Sequence, residues 1–154
     1  MSIQFNTKHK LVIEEEVSEN GVLKPQMIEH LYTFVDYHRI KTRPKKSIWN
    51  ISADDEITIF TESRQKKFHD GKFAWGYMKD ANNKFITLGL SDKNKELKIA
   101  KFVDTATLDW HGYPADHNKE EDRPTNKIFK IWLDHGIINK RKWRKIKQDK
   151  SCKL

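Results

Sequence analysis

The chain is poor in the residues that cross-link or punctuate a fold. It has one cysteine, Cys152, in 154 residues, so it can close no disulfide within itself and offers no paired-cysteine metal site. Six glycines and four prolines leave no glycine-rich phosphate loop and no low-complexity linker. No apolar run approaches the roughly 18 residues of a membrane span, and Met1 to Lys10 hold no apolar leader core. These absences point to a soluble, cytoplasmic protein of a reducing compartment that does not insert into a membrane. The zinc-protease pair of histidines and the glycine-flanked nucleophile serine are also missing. Cys152 lies near a carboxyl end expected to fray, which makes it a poor nucleophile.

Charge and aromatic rings are what the chain has. Charged residues make up 34%, yet five Trp, four Tyr and eight Phe are more than a disordered chain carries, so a folded core under a wet exterior is expected. Net charge is +8, and its distribution matters more. Residues 123–154 hold eleven Lys and Arg against Asp134 and Asp149, which is +9; the nineteen basic and twenty acidic groups before them give −1. A nearly neutral body, residues 1–122, is followed by a basic extension, 123–154, expected to pack on the same domain. That asymmetry favours a polyanionic partner: nucleic acid first, then an acidic protein or an anionic surface.

Hydropathy patterning predicts an α+β fold. Ile3, Phe5 and Leu11 to Ile13 read as one or two strands, ended by the turn residues Ser18 to Gly21. Glu14 to Glu16 read as a solvated strand edge. Pro25, followed by Met27, Ile28, Leu31, Phe34, Val35 and His38 at spacings of three and four, predicts an amphipathic helix over 25–40, with His30 and His38 near its apolar face. A basic loop, Arg39 to Lys46, contains Pro44. From Ser47 the period becomes two. Ile48 to Ile51, Ile57 to Thr61, Phe73 to Tyr77 after the hairpin pair Asp70-Gly71, Phe85 to Leu90, and Leu97 to Val103 predict an antiparallel meander of about five strands. The predicted N-terminal helix would cover one face of it. Phe73, Trp75 and Tyr77 read as a core row, a base-stacking platform being the alternative.

The basic end predicts a helical hairpin. Ile128, Ile131, Trp132 and His135 form the stripe of one helix, Gly136 stops it, and Asn139 caps a second, Lys140 to Lys147, anchored only by Trp143 and Ile146. Lys140, Arg141, Lys142, Arg144, Lys145 and Lys147 are candidate phosphate contacts. Arg39, Lys41, Arg43, Lys45 and Lys46 make a second cationic patch. The second helix has no Asn or Gln set for base edges, so phosphate-directed binding of DNA or RNA is the leading functional expectation.

Between body and tail, residues 104–124 show neither helical nor strand periodicity and carry two of the seven histidines. Gly112 and Pro114 would bend this segment so that His111 faces His117. Two such imidazoles could serve as acid and base on a phosphodiester. With Asp109 and Asp116 they could instead hold a divalent metal, the one cofactor the sequence leaves room for. A small nuclease is therefore the enzymatic alternative. A third reading is an inhibitor or adaptor module that docks a protein through the 104–124 loop, with Trp110 to Pro114 at its centre.

Overall fold

The computed structural model describes residues 7–40 and 46–154. It is a mixed α+β structure built on a six-stranded sheet. Strands β1 (Lys8–Glu19) and β2 (Val22–Thr33) form one long antiparallel hairpin, with all twelve residues of each paired. Asn20 and Gly21 at its tip have φ of 52° and 79°, the two left-handed positions that a tight hairpin turn requires.

The hairpin replaces the helix expected over 25–40. The apolar spacing of this segment also fits period two: His30 and Tyr32 are fully buried, while Met27 and Glu29 face solvent. Strand β1 lies opposite, so pairing decides between two readings that the sequence allows equally. Pro25 is tolerated because it pairs only with Glu16 of β1; the far side of β2 meets a neighbour only at Leu31 and Tyr32. Of the expected helix, only a 3-10 turn at Asp36–His38 exists.

After the short strand β3 (Ile48–Trp49), helix α1 spans Ala53–Gln65, where a strand was expected over 57–61. Ser52 caps α1 by accepting from the Asp55 amide at 3.1 Å, and three carboxylates occupy its first turn. Its buried positions are Glu56, Ile59, Phe60, Ser63 and Arg64, a helical stripe that is more than half polar. That polarity hid it from a hydropathy reading.

Strands β4 (His69–Asp70) and β5 (Phe73–Gly76) follow as a hairpin. Next come β6 (Gly89–Leu90), β7 (Glu96–Leu97), β8 (Ile99–Ala106) and β9 (Asp109–Ala115). The large sheet runs β1-β2-β9-β8-β5-β4, and β3, β6 and β7 form a small second sheet. The large sheet is mixed rather than an antiparallel meander, because β2 and β9 run parallel. Strand β9 comes from the segment in which no period was legible. Gly112 does not bend it: a Cβ there would lie 2.3 Å from the Phe102 ring, so the missing side chain lets Phe102 and Tyr32 close over β9.

Alternation sends the side chains to two cores. Ala74, Ala100, Phe102 and Trp110 meet Ile59 and Phe60 of α1 on one face. Trp75, Ile99 and Ala115 meet α2 (Asn126–Asp134) and α3 (Lys140–Lys147) on the other. Trp75 and Tyr77 belong to this second core, with Tyr77 edge-on to Trp132 at 5.4 Å; the Phe73 ring is covered by Lys101 at 4.6 Å. Cys152 is buried in the same core, held where a frayed end was expected: its amide donates to Asn118 Oδ1 and its carbonyl accepts from His117 Nε2. Among the described residues no helix is long and apolar enough to cross a membrane.

Candidate nucleic-acid interface

Helix α3 is set by its caps. Gly136 takes φ of 70° where α2 ends, and Asn139 Oδ1 accepts from the Lys142 amide at 2.8 Å where α3 begins. Ile146 is the buried anchor of α3, with Trp143 half-buried beside it. At its far end Arg123 pins the helix, donating to the Ile146 carbonyl at 2.6 Å and pairing with Asp149 at 2.6 Å. This anchoring turns Lys140, Arg141, Arg144 and Lys147 to solvent, with Lys142 and Lys145 half-buried. Among the described residues none of these six cations makes an ion pair, whereas Lys8, Arg39, Arg64, Lys67 and Lys95 of the body all do. His135 is exposed, and Phe129 takes the place in the core that the expected stripe gave it.

The second patch looks different in the fold. Arg39 turns inward, pairing with the buried Glu56 carboxylate and donating to the Ile51 carbonyl, with its guanidinium 5.7 Å from the Trp49 ring centre. It is a structural cation, not a surface one. Lys46 is exposed and lies 5.4 Å from the Tyr37 ring centre. Lys41, Arg43 and Lys45 lie outside the described residues.

The histidine-bearing segment is fastened by its own carboxylates. Asp104 accepts from the amides of Leu108 and Asp109. Asp109 binds Lys8 at 2.8 Å and Thr33 at 3.1 Å. Asp116 binds Lys95 at 2.9 Å and the Asn118 amide at 3.0 Å. Burial alone would raise the Asp116 carboxyl, but the Lys95 ammonium and the Asn118 amide together hold it below its usual value. Asp122 accepts from the Tyr113 hydroxyl and the Asp116 amide, and its carbonyl accepts from the Trp75 indole. Trp110 is buried and donates to His30 Nδ1 at 3.2 Å, so it is not displayed for docking.

His111 and His117 are not brought together. Roughly 13 Å of extended strand separates His111 from the end of β9 at Ala115, and His117 lies beyond it. Burial lowers the affinity of both rings for protons. His111 then feels Asp109 and Lys46, while His117 is bonded to the Cys152 carbonyl and feels Asp116. Among the described residues no three His, Cys, Asp or Glu side chains gather closely enough to hold a metal ion.

Two groupings had no signal in the sequence, because their members come from separate segments. On the α1 side, Glu15 Oε1 accepts from Arg64 Nε and Nη2 at 2.8 and 2.7 Å and from His30 Nε2 at 3.1 Å; the Arg64 guanidinium stands 5.2 Å from the Trp110 ring centre. One carboxylate of the expected solvated run thus holds a buried network. Beside α3, a cavity of about 540 Å³ is lined by Lys79, Lys84, Lys98 and Lys142 together with Phe85 and Asn139.

Protein-family models, curated proteins and solved structures provide no match to this chain. Function must be read from the geometry.

A buried imidazole, His38, and a half-buried one, His69, give a pH prediction. Burial is the main cause that lowers His38 and His69 each to about 4, below their ordinary 6.5. The unfolded chain therefore takes up these protons first as pH falls. Their contribution to stability is complete above about 6.5 and is lost between about 6.5 and 4. The urea midpoint should be flat above neutrality and drop through that window, and His38→Gln should remove part of the drop. Equal midpoints at about pH 4.5 and 7.5 would contradict the burial of these rings.

Proposed function

We propose that the chain binds nucleic acid non-covalently, holding phosphates on the exposed face of α3. The observation that carries this reading is the set of six α3 cations on one short helix with no ion-pair partner among the described residues, where seven of the sixteen described cations of residues 1–122 are ion-paired. Unpaired ammonium and guanidinium groups along one helix release counter-ions when phosphates replace them. The contact is directed at the backbone, because α3 offers Lys and Arg and no amide side chain between its caps. DNA and RNA are both within this reading.

Fluorescence anisotropy with a labelled duplex tests it. If about five phosphates are neutralised, log K falls against log salt with a slope near −5. Reversing Arg141 and Arg144 to Glu should weaken binding by more than about a hundredfold at about 0.1 M salt. Both side chains are exposed, so the thermal melt should hardly move. Deleting residues 139–154 is the poorer test, since it also removes Ile146 and Cys152 from the second core. The reading fails if the double reversal binds as tightly as wild type, or if wild type binds no nucleic acid at low salt.

A further inference from the structure

The cavity beside α3 carries an inference beyond the polymer reading. It gathers cations from three places in the chain: Lys79 and Lys84 flank the turn at Asn83, Lys98 lies between β7 and β8, and Lys142 stands on α3. No Asp or Glu side chain is among the described residues that line it, and Leu154 lines it as well. Lys79 Nζ is aimed by donating to the Ile137 carbonyl at 2.7 Å. Lys98 Nζ donates to Thr87 Oγ1 at 2.7 Å, and that hydroxyl in turn donates to Glu96. Phe85 supplies a flat wall, with Lys79 Nζ 4.6 Å from its ring centre. Asn139, the cap of α3, closes the amino end of that helix onto the same space.

Four like charges around one cavity repel one another. Lys79 shows it: burial first, and then the Lys142 charge, lower its affinity for a proton. An anion entering the cavity removes that repulsion, and one with several adjacent charges answers several ammonium groups at once. The volume of about 540 Å³ is of ligand size rather than water size.

We propose that this cavity binds a cluster of linked phosphates, an oligophosphate, with Lys79, Lys84, Lys98 and Lys142 as its ligands. Linked phosphates occur in free nucleoside polyphosphates and at the phosphorylated end of a nucleic acid strand, and both present the same chemistry. The site shares only Lys142 with α3, so it stands or falls separately from duplex binding.

Inorganic tripolyphosphate, titrated calorimetrically into the full chain at about 0.1 M salt, is the direct probe. One molecule should bind per chain. Lys79→Gln and Lys84→Glu should each weaken binding at least about tenfold. The double reversal of Arg141 and Arg144, on the outer face of α3, should change it by less than about threefold through screened solvent. Lys84 is exposed, so its variant stays informative should Lys79→Gln fold poorly. Displacement of tripolyphosphate by a nucleoside triphosphate, or by an oligonucleotide with a terminal phosphate but not by its dephosphorylated form, supports the site and identifies the source. Absence of saturable binding to wild type, or wild-type affinity in Lys84→Glu, overturns it. Failure of the wild-type chain to bind a duplex, with tripolyphosphate binding intact, overturns the α3 reading alone.

Discussion

Replacing Glu56 by Ala should cost about 3–5 kcal/mol of folding stability, the usual effect of removing one partner from a buried ion pair. Glu56 is 2% exposed and sits between Arg39 and Tyr32, whose hydroxyl donates to it. Burial pushes its carboxyl above the usual value, although Tyr32 and Arg39 both pull it down. Taking the carboxylate away strands a guanidinium that is itself almost fully covered and leaves a buried hydroxyl without an acceptor. The loss should be smaller when Arg39 is replaced by Met and Glu56 by Leu together, because an apolar pair removes both charges at once. Urea unfolding of the single and double variants measures it. A loss below about 1 kcal/mol for Glu56→Ala would place Arg39 back on the surface, where the sequence reading had it.

The other large effect belongs to the second core. Trp132→Ala should destabilise by about 3–5 kcal/mol, since it empties an aromatic site that cannot collapse easily. Trp132 is fully buried, edge-on to Phe68, Tyr77 and Phe129 at 5.9, 5.4 and 6.0 Å between ring centres. Those neighbours come from the α1–β4 connection, the segment after β5, and α2 itself, so the ring joins the helical end to the sheet. Arg141→Ala, on the exposed face of α3, should stay within about 0.5 kcal/mol of wild type. Equal denaturant midpoints for the two variants would mean that the helices do not present the faces described here.

The Trp132 prediction bears on how the site is held. Helix α3 can display its cations only because Ile146, Arg123 and the Cys152 segment fix it against the sheet. The lysine cavity likewise depends on the turn after Gly136 meeting the 79–85 hairpin, which Lys79 joins to Ile137. Weakening the second core should therefore loosen the proposed phosphate binding without changing any of its proposed ligands.

What the sequence by itself determined was local. The two tail helices, the Gly136 stop and the Asn139 cap rest on interactions among residues a few positions apart and are present as expected. A hairpin forms where Asp70-Gly71 signalled one, but Asp70 pairs with Phe73 and the two-residue loop is Gly71-Lys72. The concentration of positive charge after Arg123 is a property of composition alone. The tertiary structure decided whatever depends on a distant partner. Residues 22–33 fit a helix or a strand by spacing, and β1 made them a strand. Residues 53–65 became a helix whose buried stripe includes Glu56 and Arg64, charges that can be buried only because Tyr32, Arg39 and Glu15 arrive from elsewhere to pair them. Strand β9 was illegible because Gly112 and Pro114 suit a loop until Phe102 packs over the one and Gly89 over the other. Arg39 was counted as a surface cation because a sequence gives its charge and not its direction. The lysine cavity was invisible for the same reason: its four cations are spread over 64 positions of the chain, from Lys79 to Lys142, and only folding puts their charges into one field.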